Sequence, residues 1–249
     1  MPDYGLIGFP LTHSFSKSYF EKKFSSAGLS DHSYELYPID KISLLPALLS
    51  SQPELMGLNV TIPFKTAIIP YLDELDTAAA ETGAVNTIVI SRNGTEPYLK
   101  GYNTDIYGFR NSISDLTGPK IPGALILGTG GASRAVSYVL KNLKVPFHLV
   151  SRTAGKNQLA YTDLTGAIML EHRLVINTTP LGMFPQTGQF PEIPYNLLTP
   201  SHYLFDLVYN PPVTAFLIKG KERGCGILNG LKMLHLQADE AFRIWQKHI

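Results

Sequence analysis

The sequence predicts an α/β protein of two domains. Three observations carry that reading. Strand-like apolar runs alternate with helical periodicity along nearly the whole chain. A glycine-rich turn, Gly128-Thr129-Gly130-Gly131-Ala132, joins the apolar run Ala124 to Leu127 to a helix in the second half. A length of 249 residues fits one large domain or two modest ones.

Composition narrows the class. A net charge of +1 gives no attraction to nucleic acid or to a membrane surface. The single cysteine, Cys225, excludes an internal disulfide framework and points to a reducing compartment, as does the absence of a basic signal-peptide start. The seven histidines show no metal-ligand spacing, so no metal is expected. The expectation is a cytoplasmic enzyme with a small-molecule substrate, monomeric or a homodimer.

The first half reads as follows. Tyr4 to Phe9 is a strand, followed by a hydroxyl-rich loop, Gly8 to Ser16. Lys17 to Ala27 is helical, with Phe20, Phe24 and Ala27 on one face and Gly28 as its stop. Tyr34 to Ile39 alternates as a strand, and Asp40 is placed to cap the next helix. Leu58 to Ile62 is a strand, and Phe64 to Leu72 a helix interrupted near Pro70. Thr77 to Thr82 is short and alanine-rich. Val85 to Ser91 and Tyr98 to Tyr102 form a hairpin through Asn93-Gly94. Thr104 to Leu116 is a connecting helix, with Gly118-Pro119-Lys120 as punctuation before the second domain.

In the second half, Val136, Val139, Leu140 and Leu143 mark the helix after the glycine turn. The glycines let the backbone turn tightly and approach a ligand, and amides at the helix start favour an anion such as a dinucleotide pyrophosphate. The third fingerprint position holds Ser133 rather than glycine, and a bare strand-to-helix turn is the alternative. The next strand, Pro146 to Val150, ends at Ser151-Arg152-Thr153, with Lys156 beyond. An NAD site wants an acidic residue about 20 residues past the glycines. Arg152 stands there instead, and its planar charged fork suits the 2′-phosphate of NADP; a solvated loop arginine is the bland alternative. Ala154 to Glu171 lacks the helix of a standard doubly wound unit, with a helical turn or two at most around Gln158 to Tyr161. Leu174 to Thr178 and Tyr203 to Leu207 are strands, Cys225 to Leu228 is apolar core, and Val213 to Lys219 and Lys232 to Lys247 are helices.

Chemistry concentrates at Asn59-Val60-Thr61-Ile62-Pro63-Phe64-Lys65, which lies at a strand end, where α/β proteins place ligands. Lys65 has apolar neighbours, and Asp105 opens the connecting helix. Each has a plain alternative, a surface lysine and a helix-dipole carboxylate. Together, beside a nicotinamide, they would handle the proton that ketone reduction requires.

These segments resemble the shikimate dehydrogenase family. The resembling motifs are Gly8 to Ser16, Asn59 to Lys65, Gly83-Ala84-Val85-Asn86-Thr87, Gly101-Tyr102-Asn103-Thr104-Asp105 and Gly128 to Ala132. Asn177 to Met183, Asp206 to Pro211 and Gly230 to Ala238 are also similar. The resemblance implies reversible, NADPH-dependent reduction of 3-dehydroshikimate to shikimate, in the route to aromatic amino acids. It implies Lys65 and Asp105 as the catalytic pair, and Ser14, Ser16 and Tyr209 around the substrate carboxylate. Asn59, Thr61, Asn86 and Gln237 would meet the ring hydroxyls. Gly128, Thr129, Gly130, Gly131, Ala132, Ser151, Arg152, Thr153, Lys156, Leu207 and Gly230 would hold NADP. The implied fold is an N-terminal α/β substrate domain, residues 1–104 plus 232–249, and a Rossmann-like doubly wound NADP domain, residues 105–231. The C-terminal helix returns to the first domain.

The chain departs from the family pattern at Lys17, often proline, at Ser151, usually asparagine, and at Lys232, commonly glycine. Rival readings are a quinate or dual quinate/shikimate dehydrogenase, and a non-catalytic shikimate-sensing module on the same fold. A hydrolase built on His13-Ser14 lacks the G-x-S-x-G elbow.

Overall fold

The computed structural model describes residues 3–11, 14–94, 96–114 and 122–248. Thr12 and His13 of the serine loop, Leu116 of the connecting helix and the Gly118-Pro119-Lys120 punctuation lie outside the described residues. The chain divides into two compact units, Met1–Thr104 with Ala238–Ile249, and Asp105–Gln237.

The first unit holds β1 (Asp3–Gly8), α1 (Ser16–Ser26), β2 (Ser33–Pro38), α2 (Leu45–Ser51), β3 (Leu55–Val60), β4 (Glu74–Leu75), α3 (Thr77–Thr82), β5 (Thr87–Asn93) and β6 (Glu96–Tyr102). Its sheet runs β2-β1-β3-β5-β6-β4. β1 pairs in parallel with β2 and β3, whereas β3, β5 and β6 are antiparallel neighbours. Both faces are covered, which is why these strands read as apolar runs. Ile7, Leu58, Val60, Ile88 and Ile90 join Leu45 and Leu49 of α2 in one apolar layer. Tyr4, Leu6 and Val89 face the other, with Phe20 and Phe24 of α1.

The second unit holds α4 (Asp105–Ile113), β7 (Ala124–Leu127), α5 (Gly131–Asn142), β8 (Phe147–Ser151), β9 (Gln158–Ala160), α6 (Gly166–Glu171), β10 (Leu174–Asn177), β11 (Tyr203–Asp206), α7 (Ala215–Glu222) and β12 (Gly226–Leu228). Its sheet is parallel throughout, in the order β12-β11-β10-β7-β8-β9. This is the doubly wound order with its switch point at β7 and β10. Leu125, Leu127, Val175 and Leu204 face Phe216 and Leu217 of α7. Ala124, Ile126, Ile176 and Phe205 face Phe109 of α4 and Val136, Val139 and Leu140 of α5.

The last helix, α8 (Leu231–Gln246), belongs to both units. Met233 packs in the Phe109 and Val136 layer of the second unit. From Ala238 onward the helix packs in the first, where Trp245 donates from Nε1 to the Ile88 carbonyl oxygen at 2.9 Å. The sequence reading began the returning segment at Lys232; the division falls at Gln237/Ala238, because the apolar partners change there. Gly57 of β3 lies against the Trp245 indole, where any Cβ would collide with the ring.

Several local expectations differ from the structure. Asp40 is not a helix cap: a 3₁₀ turn, Ile42–Leu44, begins after Lys41 and leads into α2. Phe64 to Leu72 is a set of turns ending in the 3₁₀ segment Ile69–Tyr71, since Pro70 lacks the amide a helix interior needs. Gln158 to Ala160 is a strand rather than a helical turn; it pairs with β8, and Leu159 packs on the β-sheet core. The stretch from Arg152 to Asn157 replaces the helix of a full crossover. The short strands β4 and β12 were not anticipated as strands.

The ends of β10 and β11 are locked by one buried carboxylate. Asp206 Oδ1 accepts from Asn177 Nδ2 at 2.9 Å and from the Val208 amide at 3.0 Å. Its Oδ2 accepts from Thr214 Oγ1 at 2.5 Å, and Thr214 caps α7. Burial pushes the carboxyl up to about 6, opposed by these donors. The folded state therefore holds the Asp206 proton to higher pH than the unfolded chain. Stability from this group is greatest below the ordinary carboxylate range and falls as pH rises from about 4 to about 6. The loss is on the order of 3 kcal/mol. Asp206→Asn removes this slope. Urea unfolding midpoints of both proteins at pH 4.5 and pH 7 measure it: wild type loses ground to the variant as pH rises, and a pH-independent difference rules the titration out.

Candidate functional site

The polar residues of the first unit gather beyond the ends of β3 and β6 and before β5. Asn59 is the penultimate residue of β3 and is 6 % exposed. Its Nδ2 donates to the Asn86 carbonyl oxygen at 3.3 Å and to Thr87 Oγ1 at 3.2 Å. Its Oδ1 accepts from the Tyr34 hydroxyl at 2.8 Å. Asn86, buried as well, uses its Oδ1 as a hub: the Thr104 amide donates to it at 2.7 Å, Thr104 Oγ1 at 3.1 Å and Thr87 Oγ1 at 3.3 Å. With that oxygen filled, any ligand contact of the Asn86 side chain is made by Nδ2, as a donor.

Lys65 is tied to the same cluster through the backbone. The Val85 amide donates to the Lys65 carbonyl oxygen at 2.7 Å, one residue before Asn86. The turn that carries Lys65 is anchored by Phe64, whose amide donates to the Thr61 carbonyl and whose ring is buried. Asn103 braces the preceding loop, donating to the Ala84 carbonyl at 3.0 Å and to Thr82 Oγ1 at 3.2 Å. The serine loop is built locally: Ser14 Oγ accepts from the Ser16 amide at 3.2 Å, and Ser16 reaches the Tyr34 hydroxyl. Ser14, Ser16, Thr61 and Lys65 are all half-buried. Of the expected set, the first unit thus links Ser16, Asn59 and Asn86 through Tyr34 and the Asn86 backbone, and joins Lys65 to the loop before Asn86 through its carbonyl.

Asp105, Tyr209 and Gln237 belong to the second unit. Asp105 is buried in the first turn of α4, one residue past Thr104. Tyr209 lies in the loop closed by Asp206 and Thr214 and is half-buried. Gln237 is on α8, with Nε2 donating to the Leu234 carbonyl at 2.9 Å.

The glycine turn has the shape a pyrophosphate needs. Gly128 adopts φ +107°, and a Cβ there would stand 2.8 Å from Thr178 Oγ1, so only glycine fits. Thr178 Oγ1 donates back to the Leu127 carbonyl at 2.7 Å, joining the ends of β7 and β10 at the switch point. Gly130 is different: a Cβ there would meet nothing within 4 Å, leaving open room above the turn. Gly130 precedes α5, whose first turn has no side-chain cap and no acidic residue. Ser133 fills the third fingerprint position by turning inward, its hydroxyl donating to the Gly130 carbonyl at 2.7 Å. Thr129 is exposed, and Gly131 and Ala132 begin the helix.

At the end of β8, Ser151 Oγ donates to the Thr153 carbonyl at 2.7 Å, and Gln158 Nε2 donates to the same carbonyl at 3.0 Å. That ties a six-residue connection into a compact loop bearing the exposed side chains of Arg152 and Lys156. Gly230 and Leu207 are brought together, since a Cβ on Gly230 would collide with the Leu207 backbone. Open space at Gly130, an uncapped helix start and cationic residues past β8 fit a phosphorylated dinucleotide.

Sequence reasoning missed Tyr34, Thr87, Thr104 and Asp206 as parts of these networks. Tyr34 reads simply as one residue of an alternating strand, although a tyrosine at a core position needs a partner for its hydroxyl.

Comparison with known proteins identifies the relatives. The family model described as the shikimate dehydrogenase substrate binding domain matches residues 6–88. The shikimate dehydrogenase (NADP(+)) of Desulforamulus reducens is 38 % identical over 263 residues, covering 97 % of this chain and 88 % of the relative. The crystal structure of shikimate 5-dehydrogenase from Thermus thermophilus, in complex with NADP(H) and shikimate, superposes with a TM-score of 0.84 at 31 % identity, covering 99 % of this chain and 94 % of that one. Quinate dehydrogenase from Corynebacterium glutamicum, in complex with NAD, gives a TM-score of 0.84 at 26 % identity, covering 98 % and 93 %. Identity at that level along almost the whole length settles the kinship: this chain belongs to the shikimate dehydrogenase family.

Proposed function

We propose that this protein reduces 3-dehydroshikimate to shikimate, reversibly, with NADPH as the reductant. The observation that carries the reading is the pair of buried amides, Asn59 and Asn86, held in fixed orientations by internal partners. Amides fixed in this way recognise alcohols by direction, one as an acceptor and the other as a donor. A ring bearing several hydroxyls is the ligand class they suit. Relatives at high coverage named shikimate dehydrogenase (NADP(+)) support the same choice.

Bound NADPH supplies the hydride that reduces the carbonyl carbon. The chain supplies the proton. Lys65 delivers it to the developing alkoxide, and Asp105 sets the charge and orientation of the acid. In the reverse direction the same pair takes the proton from the alcohol. Ser14, Ser16 and Tyr209 donate hydroxyl hydrogens to the substrate carboxylate, while Thr61 and Gln237 complete the contacts to the ring. The glycine turn from Gly128 to Ala132 receives the pyrophosphate. Ser151, Arg152, Thr153 and Lys156 address the adenosine side, with Arg152 on the 2′-phosphate, and Leu207 and Gly230 line the remainder.

No helix among the described residues is long and apolar enough to cross a membrane. The proposed setting is the cytoplasm, with the chain acting as a monomer or a homodimer.

A spectrophotometric assay of shikimate and quinate, each against NADP⁺ and NAD⁺, tests the activity. Shikimate with NADP⁺ is expected to give the highest kcat/KM; binding of shikimate and NADP⁺ without turnover would instead mark a sensing module. Lys65→Ala is expected to lower kcat by about 10³-fold while the KM for shikimate stays within a few fold, because proton transfer is lost and most polar contacts remain. Steady-state rates decide it, and near-normal turnover removes Lys65 from its role. Arg152→Ala is expected to raise the KM for NADPH by about 10- to 100-fold, as loss of a charge-assisted hydrogen bond does, and to leave NADH nearly unaffected. Equal losses for both cofactors would undo the assignment to the 2′-phosphate.

A further inference from the structure

Tyr34 lies on β2, in none of the motifs that mark the site, yet its hydroxyl ends inside it. The side chain is 1 % exposed. Its ring stacks on Phe20 of α1, with centroids 4.4 Å apart and planes 9° from parallel. Trp245 packs against it at 6.4 Å. A ring held in this way can place its hydroxyl in only one spot, and that spot is 2.8 Å from Asn59 Oδ1.

The direction of the bond follows from the rest of the network. Asn59 Nδ2 faces the Asn86 carbonyl oxygen, which can only accept, so the other amide atom is the oxygen. Tyr34 must therefore donate. A phenol has one proton, and it is committed to Asn59. Burial pushes the Tyr34 phenol far up, so it remains a neutral O–H donor across the working pH range. The Ser16 hydroxyl beside it can meet the phenolic oxygen only by donating, which leaves the bond to Asn59 intact.

Among the described residues Tyr34 is the donor to the Asn59 amide oxygen, and without it the amide would be held only through Nδ2. With it, the oxygen keeps one lone pair directed away from the phenol. We propose that Tyr34 is a positioning residue for this reaction, locking Asn59 so that its amide oxygen accepts a hydrogen bond from a substrate ring hydroxyl. The inference rests on Asn59 being a substrate contact, as proposed above.

The test is a double-mutant cycle on the full chain with Tyr34→Phe, Asn59→Ala and the double variant, reading kcat, both KM values and the melting temperature. Tyr34→Phe keeps the stacked ring and deletes only the hydroxyl. It is expected to raise the KM for shikimate about fivefold to tenfold, with kcat and the KM for NADP⁺ within about twofold. The double variant is expected to match Asn59→Ala, because the hydroxyl acts only through the amide. If Asn59→Ala leaves the KM for shikimate unchanged, the reading of Asn59 as a substrate contact fails, and this inference with it. If Asn59→Ala raises that KM while Tyr34→Phe is silent, or if the two losses multiply in the double variant, the positioning role alone is overturned. A large drop in melting temperature with kcat and both KM values shifting together marks a purely structural tyrosine and overturns it too.

Discussion

The amide of Asn59 cannot turn. One carbonyl oxygen, one threonine hydroxyl and one phenol claim three of its four hydrogen-bonding positions, and each is itself held. Burying such a group without partners costs a few kcal/mol, whereas burying it with partners fixes its direction. The surrounding strands depend on the same bonds. Thr87 joins Asn59 to Asn86 and Thr104, so the end of β3, the start of β5 and the residues after β6 share one polar knot. Asp105 follows Thr104 directly, so the knot also fixes where the backbone enters α4.

The second unit solves the same problem with a carboxylate. Asp206 gathers Asn177, the Val208 amide and Thr214, and so ties the ends of β10 and β11 to the start of α7. A parallel sheet buries both faces and leaves its strand ends as the places where polar groups can converge. Those ends must then be braced from within. The glycine turn shows the division of labour: Gly128 is required by its φ and by Thr178, while Gly130 leaves space that no protein atom fills. One glycine is required by the fold, and the other leaves room at the helix start.

Much of this was legible in the chain. Ala124 to Leu127 is an uninterrupted apolar run, and it is β7 to the residue. Gly28 and Gly83 end their helices at φ +73° and +59°, the left-handed conformation that favours glycine. The motif from Asn59 to Lys65 reads as a strand end from the apolar run it closes, whereas Asn86 enters only through the family resemblance. The sequence did not reveal Tyr34 or Asp206 as network members, because the bonds from Tyr34 to Asn59 and from Asn177 to Asp206 join residues far apart in the chain and leave no local pattern. Lone turns failed for a different reason. Phe64 to Leu72 has helical apolar spacing, but Pro70 and tertiary packing favour turns. Gln158 to Ala160 lacks the length for periodicity to decide, and only pairing with β8 makes it a strand.

The trimmed connection after β8 has a consequence for the cofactor. A full doubly wound unit follows its second strand with a helix, whose first amides and side chains help to enclose the adenosine ribose. Here Arg152 to Asn157 turn back at once, and β9 starts opposite Leu149. The Ser151 hydroxyl, the Thr153 backbone and the Gln158 amide hold the loop together. On the proposed assignment, recognition of a 2′-phosphate falls on the exposed cations, Arg152 above all, as a charge-assisted contact. Such a contact discriminates by charge and weakens with ionic strength. On that assignment, the preference for NADPH over NADH should therefore be more sensitive to salt than the KM for shikimate, whose proposed ring contacts include the buried, neutral amides of Asn59 and Asn86.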